Sequence, residues 1–520
     1  MSVEGHRTSQ STPAEGTDSI GSKKEPMTEL HAVSTVDKGD VIEVSDYTAE
    51  QYAKIRWKVD RHVMPLLFFI DGIQIVDKNA LSIQALFGLR QDTGLVGQQY
   101  QWLTTIFYLT YLLGQFPSVY IMQRWKLGMS LSTYMFCWGT VLICISASQN
   151  FATLMALRAL QGFFECPVKP GFLLLTGAWY RTDEHSSRSI IWQSSEGLMA
   201  IICNLILYGI AQHAEKHSGI DAWRTVSLFL GSLTIVGSIW SFYSLGSPHE
   251  VRWLNADEKR IATARVIQNG AGQDTTGKRW DWAQVFEALR DPQFYFSFFN
   301  TLLANIPNGG ITTFSFLMYQ TFGFSSYESM LWGLPRLAVY VIVFILVALY
   351  TQKFQNQRLY IMILCCLLPF VGMLVMSLLP NIPEYKWIKW AMFMLTVVFS
   401  LSIFLAWSLM PSNILGKTKY SFTSASTLIA YCVGNMVGSQ VFRTKDAPRY
   451  VVGTVVCSVC FGLQALLILC WRFYYMYENK RRDRLMAEQG ISKEDQERLA
   501  KELGEQGKTD RENIYIRYAM

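Results

Sequence analysis

The stretch Arg158–Tyr180, RALQGFFECPVKPGFLLLTGAWY, sets an arginine, a glutamate and a lysine in a run that is otherwise almost wholly apolar. Each such charge costs on the order of 2.5–3.5 kcal/mol at the centre of a bilayer on insertion scales, so partners or water must compensate all three. Glu165 and Lys169 have the spacing that lets two side chains pair along one helix face, with Arg158 two turns earlier on roughly the same side. Pro167, Pro170 and Gly171 interrupt the backbone in that same turn. Broken helices persist at membrane depth where they line a water-filled or protein-enclosed cavity. The stretch therefore predicts a polar cavity inside a membrane-embedded bundle, suited to an anionic solute. A structural ion pair that only makes burial tolerable is the plainer alternative.

The rest of the chain supports a membrane setting. Half of the 520 residues are hydrophobic and 17% are charged, against roughly 25% charged in an ordinary soluble domain. A crossing needs about 20 apolar residues. Such runs fall near 62–85, 99–121, 129–148, 152–178, 188–212, 225–246, 292–320, 328–351, 359–379, 387–411, 421–442 and 451–476. The expected fold is an all-α integral membrane protein of twelve transmembrane helices in two six-helix pseudo-symmetric halves. Residues 1–54 are expected to be a disordered tail, 55–246 the first half, 247–291 a polar central loop, 292–478 the second half and 479–520 a second tail. Basic residues Lys54, Arg56, Lys58 and Arg61 precede the first span, and Lys480, Arg481, Arg482 and Arg484 follow the last. The positive-inside rule puts both tails in the cytoplasm and accounts for the net charge of +6 without nucleic acid. The first span, rather than a cleavable leader, is expected to direct insertion.

Other spans carry polar residues of their own. The first contains Asp71 and then Asp77, Lys78 and Asn79, where a titrating carboxylate beside a cation is the functional reading and a snorkelling lysine at a helix end the plain one. Gln115 sits between Gly114 and Pro117 in the second span, a polar and bendable place. Glu196 and Asn204 share a stripe of the fifth. The seventh gathers Asn305, Pro307, Asn308, Gly309 and Gly310, which predicts a second broken segment matching the one in the first half. In the eleventh, Asn435 stands between Gly434 and Gly438, glycines suited to close helix packing. The ten cysteines fall mostly within spans, and Cys457 and Cys460 read as small packing residues rather than ligands. Neither a metal site nor a cofactor motif is evident, and no enzyme signature emerges.

Several short motifs, in this order and spacing, resemble the major facilitator superfamily and within it the fungal allantoate permease family of anion:cation symporters. They are DKN at Asp77–Asn79, QFPS at Gln115–Ser118, WG at Trp138, the opening stretch with WYR after it, EGLMAIICNLILYGIA from Glu196, WL at Trp253, GN at Gly434 and KDAPRYVVG from Lys445. The resemblance covers about residues 55–478. It implies proton-coupled carriage of small organic anions such as ureides, carboxylates, vitamins or dipeptides. The chain departs from the family pattern at Gln115, where a glutamate is common, at Lys169, where a small or hydroxyl residue is usual, and at Lys78–Asn79, where the asparagine is displaced by one.

The expected function is import of a small anionic solute with protons by alternating access. Lys78, Lys169, Asn79, Gln115, Asn305, Asn308 and Asn435 are the candidate substrate-binding residues, and Asp77, Glu165 and Glu196 the candidate proton-coupling ones. Export of an endogenous organic acid is the alternative within transport, and a non-transporting nutrient receptor the alternative outside it. The expected partners are the solute, protons and lipid, the expected assembly a monomer, and the expected location the plasma membrane or an internal one.

Overall fold

The computed structural model describes residues 47–217, 219–266, 280–354 and 356–520. The reading of residues 1–46 as a disordered tail lies outside the described residues. All regular structure among the described residues is helical. The first half comprises α1 (Ala49–Leu86), α2 (Leu89–Asp92), α3 (Gln99–Arg124), α4 (Leu127–Ile145), α5 (Phe151–Glu165), α6 (Val168–Trp179), α7 (Thr182–Gln193), α8 (Ser195–His217) and α9 (Ala222–Ser244). Two short helices follow, α10 (Ala256–Val266) and α11 (Trp282–Leu289). The second half comprises α12 (Pro292–Thr321), α13 (Ser326–Lys353), α14 (Arg358–Leu378), α15 (Lys386–Leu395), α16 (Phe399–Asn413), α17 (Lys417–Val441) and α18 (Val451–Glu488), and α19 (Lys493–Glu505) lies in the terminal segment.

Local chemistry sets where these helices begin. Thr48 and Gln51 form a reciprocal capping box at the start of α1, so the first half starts ahead of the expected residue 55. Ser325 and Glu328 do the same for α13, while Asn150 and Asp291 cap α5 and α12 through their side-chain oxygens.

Seven helical stretches among the described residues are long and apolar enough to cross a membrane: Leu127–Ile145, Ile191–His217, Ala222–Ser244, Ser326–Thr351, Arg358–Leu378, Pro383–Asn413 and Val451–Glu488. The other five expected spans fall on α1, α3, the pair α5 and α6, α12 and α17, all of them helical. Those five carry every singled-out polar residue except Glu196 and Asn204, and the turn before Val168 leaves α5 and α6 at 15 and 12 residues, each too short to cross alone. In a bundle of this kind the polar helices belong inside, and the apolar ones can face lipid.

The halves repeat each other in packing. α4 lies against α9 as α14 lies against α18, and α1 packs on α8 as α12 packs on α17. The halves meet through α3 on α17, α8 on α13 and α1 on α12.

Two backbone expectations come out differently. The break at Pro167 is real: α5 ends at Glu165, Cys166 and Pro167 form a turn, and α6 resumes at Val168. The matching break expected at Pro307 is absent, because α12 runs unbroken from Pro292 to Thr321 with Pro307 inside it. Close packing of α17 supports α12 there. A Cβ on Gly438 would fall 1.9 Å from the Ile306 carbonyl oxygen and one on Gly309 2.3 Å from the Asn435 carbonyl oxygen, so only glycine allows the approach.

Candidate functional site

The turn between α5 and α6 puts Glu165 and Lys169 on different helices, so the spacing that favoured their pairing no longer applies. Glu165 instead lies 3.5 Å from the Lys78 ammonium of α1, and Lys169 bridges Asp71 of α1 and Glu196 of α8, with 3.0 Å to the latter. The expected Glu165–Lys169 pair is thus corrected to two constellations that each tie the broken helix to α1. The backbone freed at the break is part of the design: Gln115 of α3 donates its amide to the Cys166 carbonyl at 2.9 Å, so this residue braces the turn.

Asp71 and Glu165 are wholly buried. Ser195 donates to Asp71 at 3.3 Å, and Tyr340 of α13 donates across the interface between halves to Glu196 at 3.3 Å. The Lys169 ammonium lies 5.2 Å from the Trp192 ring centroid, and that of Lys78 lies 5.6 Å from Tyr111. Such contacts favour a cation without neutralising it. Neither Glu165 oxygen nor either polar atom of Gln74 has a hydrogen-bond partner among the described residues, although all four are buried. Native interiors rarely leave buried polar groups so.

Asp77 is set apart from its sequence neighbour Lys78. One of its oxygens accepts hydrogen bonds from Trp138 of α4 at 2.9 Å and Gln161 of α5 at 2.6 Å, while Arg158 donates to the other side of the Gln161 amide at 3.1 Å. The arginine that opened the puzzle therefore faces Asp77 through Gln161. A narrow cavity between the halves is lined by Lys78, Thr104, Tyr108, Arg158 and Thr312 among others, so two cations of the first half reach it.

The asparagines are more inward-looking than a binding role requires. Asn79 donates to the Ile75 carbonyl of its own helix at 2.9 Å. Asn308 donates to Asn435 at 2.9 Å, and Asn435 donates to Asn305 at 3.1 Å, a ladder that joins α12 to α17. Gln74 and Tyr340 also belong to the constellations with no sequence signal of their own, while Trp138 and Gln161 were legible only as members of the quoted motifs. A neutral amide or aromatic in an apolar run carries no charge to draw notice, and its ordinary place is the core. Among the described residues no group of His, Cys, Asp and Glu side chains could hold a metal.

At the end of the bundle where α1 finishes and α3 begins, the halves are fastened together. Tyr100 donates to the Thr313 carbonyl at 2.7 Å, Gln101 to the Phe442 carbonyl at 2.7 Å, and the Ser82 hydroxyl accepts from the Phe316 backbone at 3.0 Å.

Comparison with known proteins agrees with this architecture. The profile of the Major Facilitator Superfamily matches residues 67–439. An uncharacterized transporter of Schizosaccharomyces pombe is 33% identical over 85% of this chain and 83% of its own length. The allantoate permease of Saccharomyces cerevisiae is 31% identical over 94% of this chain and 90% of its own. Among solved structures, a bacterial homologue of the human lysosomal transporter Spinster, inward-facing and occupied, superposes with a TM-score of 0.60 at 14% identity, covering 79% of this chain and 96% of that one. The protein is a multi-pass membrane transporter and not an enzyme. With more than half its length matched and its fold shared, the chain belongs to the major facilitator superfamily.

Proposed function

We propose that the protein imports a small organic anion together with protons, by alternating access, across the plasma membrane as a twelve-span monomer. The observation that carries this reading is the pair of buried lysine–carboxylate constellations at the broken helix, Lys78 with Glu165 and Lys169 with Asp71 and Glu196. In the first half Lys78, Arg158 and Lys169 face four carboxylates, Asp71, Asp77, Glu165 and Glu196. An entering anion must compete with those carboxylates for the lysines, and a dry site cannot hold the displaced negative charge unpaired. A proton on the displaced carboxylate removes that charge, so anion and proton bind best together. Glu165 is the favoured proton carrier, because the Lys78 ammonium opposite it stands 3.5 Å away, the loosest of the ion pairs at the broken helix.

The fastened end between Tyr100, Gln101, Thr313 and Phe442 is read as the closed outer gate of an inward-facing form. Rocking the halves about α8 and α13, where Tyr340 meets Glu196, would open it. Relationship to an allantoate permease favours ureido acids as the first solutes to try. The test is accumulation of labelled allantoate, other small carboxylates and dipeptides in cells lacking their own permeases, in acidic medium with and without a protonophore. Accumulation that collapses with the protonophore is expected. Faster loss from preloaded cells without accumulation would replace the reading with export, and absence of flux in both directions would replace it with a receptor.

A further inference from the structure

The first half of the bundle pairs Lys78 and Lys169 with carboxylates, whereas several cations of the second half, Arg336, Lys389 and Arg472 among them, have no acid beside them among the described residues. Arg336 of α13 forms no ion pair among the described residues. Its Nε is buried without a hydrogen-bond partner, although the residue as a whole keeps partial access. Its guanidinium lies 5.0 Å from the Phe393 ring centroid, a contact that accommodates a cation but supplies no counter-charge. The nearby hydroxyl of Tyr319 is also buried and unpartnered.

Its position excludes a surface role. Counting about 1.5 Å per helical residue, Arg336 lies about 15 Å inside the start of α13, near the middle of a roughly 30 Å hydrocarbon core. A guanidinium open to lipid at that depth is costly, so its accessible nitrogens belong in an internal space. Lys78, from the end of α1, and Thr312, from the end of α12, fall about 12–14 Å inside the same side of the bundle by the same count. The cavity that holds those two residues and Arg158 is thus level with Arg336. Tyr340, one turn along α13 on the same face, already touches Glu196 of the opposite half. Arg336 therefore stands one turn from a contact between the halves, with its own guanidinium among second-half side chains, over Phe393 of α15 and beside Tyr319 of α12.

We propose that Arg336 binds the anionic group of the transported solute, as the second half's counterpart to Lys78 and Arg158. The guanidinium offers a planar fork of donors that matches a carboxylate's two oxygens, and no resident acid competes for it. A solute held between the halves draws them together, which links binding to rocking. The proposal rests on the anion-transport reading above.

The test uses the purified full-length protein and its thermal stabilisation by allantoate, acetate, succinate and benzoate, each beside its uncharged amide. The wild type should be stabilised by a carboxylate and not by its amide. Arg336→Gln should weaken that carboxylate's binding about tenfold or more, the loss expected for a hydrogen bond to a charged group, and Arg336→Lys should recover part of it. Equal carboxylate binding by wild type and Arg336→Gln overturns the role of Arg336 while leaving anion transport standing. Stabilisation of the wild type by amides as well as acids, or by none of the panel, overturns the anion reading and this proposal with it. Should Arg336→Gln fail to fold, phenylglyoxal labelling of the wild type decides: the effective carboxylate should slow modification of the peptide carrying Arg336 several-fold, and unaltered labelling in its presence overturns the assignment.

Discussion

Lys169 holds two carboxylates at once, and this determines what its removal does. Replacing it by alanine leaves Asp71 and Glu196 facing each other without a cation, the former wholly buried. Breaking a buried ion pair from one side costs about 3–5 kcal/mol, so Lys169→Ala should lose most of its folded yield before any question of solute affinity arises. Combining it with Asp71→Asn and Glu196→Gln should restore a monodisperse peak in size-exclusion chromatography; failure to restore it would mean that Lys169 supports the fold through something other than charge. Glu165 is different, since its glutamine isostere keeps the shape and a hydrogen-bonding group toward Lys78 while removing the charge and the titration. Glu165→Gln should reduce accumulation to simple equilibration while exchange of internal for external solute continues, and a variant that still concentrates solute in acid would remove Glu165 from the coupling. The charges themselves were legible in the sequence because each is conspicuous in an apolar run. Their partners were not, because the helical spacing rule presumes a continuous helix and the turn at Cys166 and Pro167 ends one. Arg336 stands in an equally apolar run, but no second charge lies near it in sequence to form a pattern.

Helix pairs show the same division between what a sequence states and what packing decides. Pro167 and Pro307 look alike as helix breakers, yet only the first ends its helix. Pro167 has Pro170 and Gly171 just beyond it and a glutamine from α3 to take the freed carbonyl, whereas Pro307 lies where α12 is held against α17. The packing role of Gly434 and Gly438 was legible, whereas Gly309 and Gly310, read as part of a break, are spacers in an unbroken helix. A Cβ on Gly438 would meet the Ile306 carbonyl and the Gly310 backbone, neither of which can swing aside. Gly438→Ala should therefore force α12 and α17 apart at a cost of about 1–3 kcal/mol. Gly209→Ala on α8, where nothing lies within 4 Å of the added carbon, serves as the matched control. Thermal unfolding of the two variants checks this: an equal midpoint for both would show that the α12–α17 contact is looser than its geometry implies. The asparagine ladder Asn308, Asn435 and Asn305 spans the same pair, so the spreading should also disturb solute-dependent closure of this half.

Across the whole molecule, the terminal segment is more than the solvated helix its composition suggests. Beyond α19 the chain turns back, and Asp510 reaches Lys419 at the start of α17 at 2.7 Å, where Asp291 and Glu287 meet the same ammonium at 2.6 and 2.9 Å. Arg482 of α18 donates to the Asp510 carbonyl and the Tyr518 hydroxyl, and the Tyr518 ring stacks on Tyr475 with centroids 4.8 Å apart. Asn413 exchanges hydrogen bonds with Ala519, and the Arg358 backbone donates to the last residue. The final residues thus strap together the ends of α12, α14, α16, α17 and α18. Polar, charged sequence reads as tail because its partners are residues far away along the chain. A chain ending at residue 505 should lose about 1–3 kcal/mol, the cost of leaving buried polar groups such as Asn413 and Arg482 unpaired, and its second half should exchange amide hydrogen faster at these helix ends. The pH response of the strap follows from Asp510, which burial holds above the ordinary carboxylate range despite the opposing Lys419 ammonium. A carboxyl group whose pKa is higher docked than free takes up a proton on docking, so acidification from neutral toward the docked value favours the docked strap. Hydrogen exchange of the peptide covering residues 508–520, corrected for intrinsic rates, should show equal or greater protection at pH about 5.5 than at about 7.5. Weaker protection in acid would mean that the ionised Asp510–Lys419 pair, rather than burial of a neutral acid, holds the strap down.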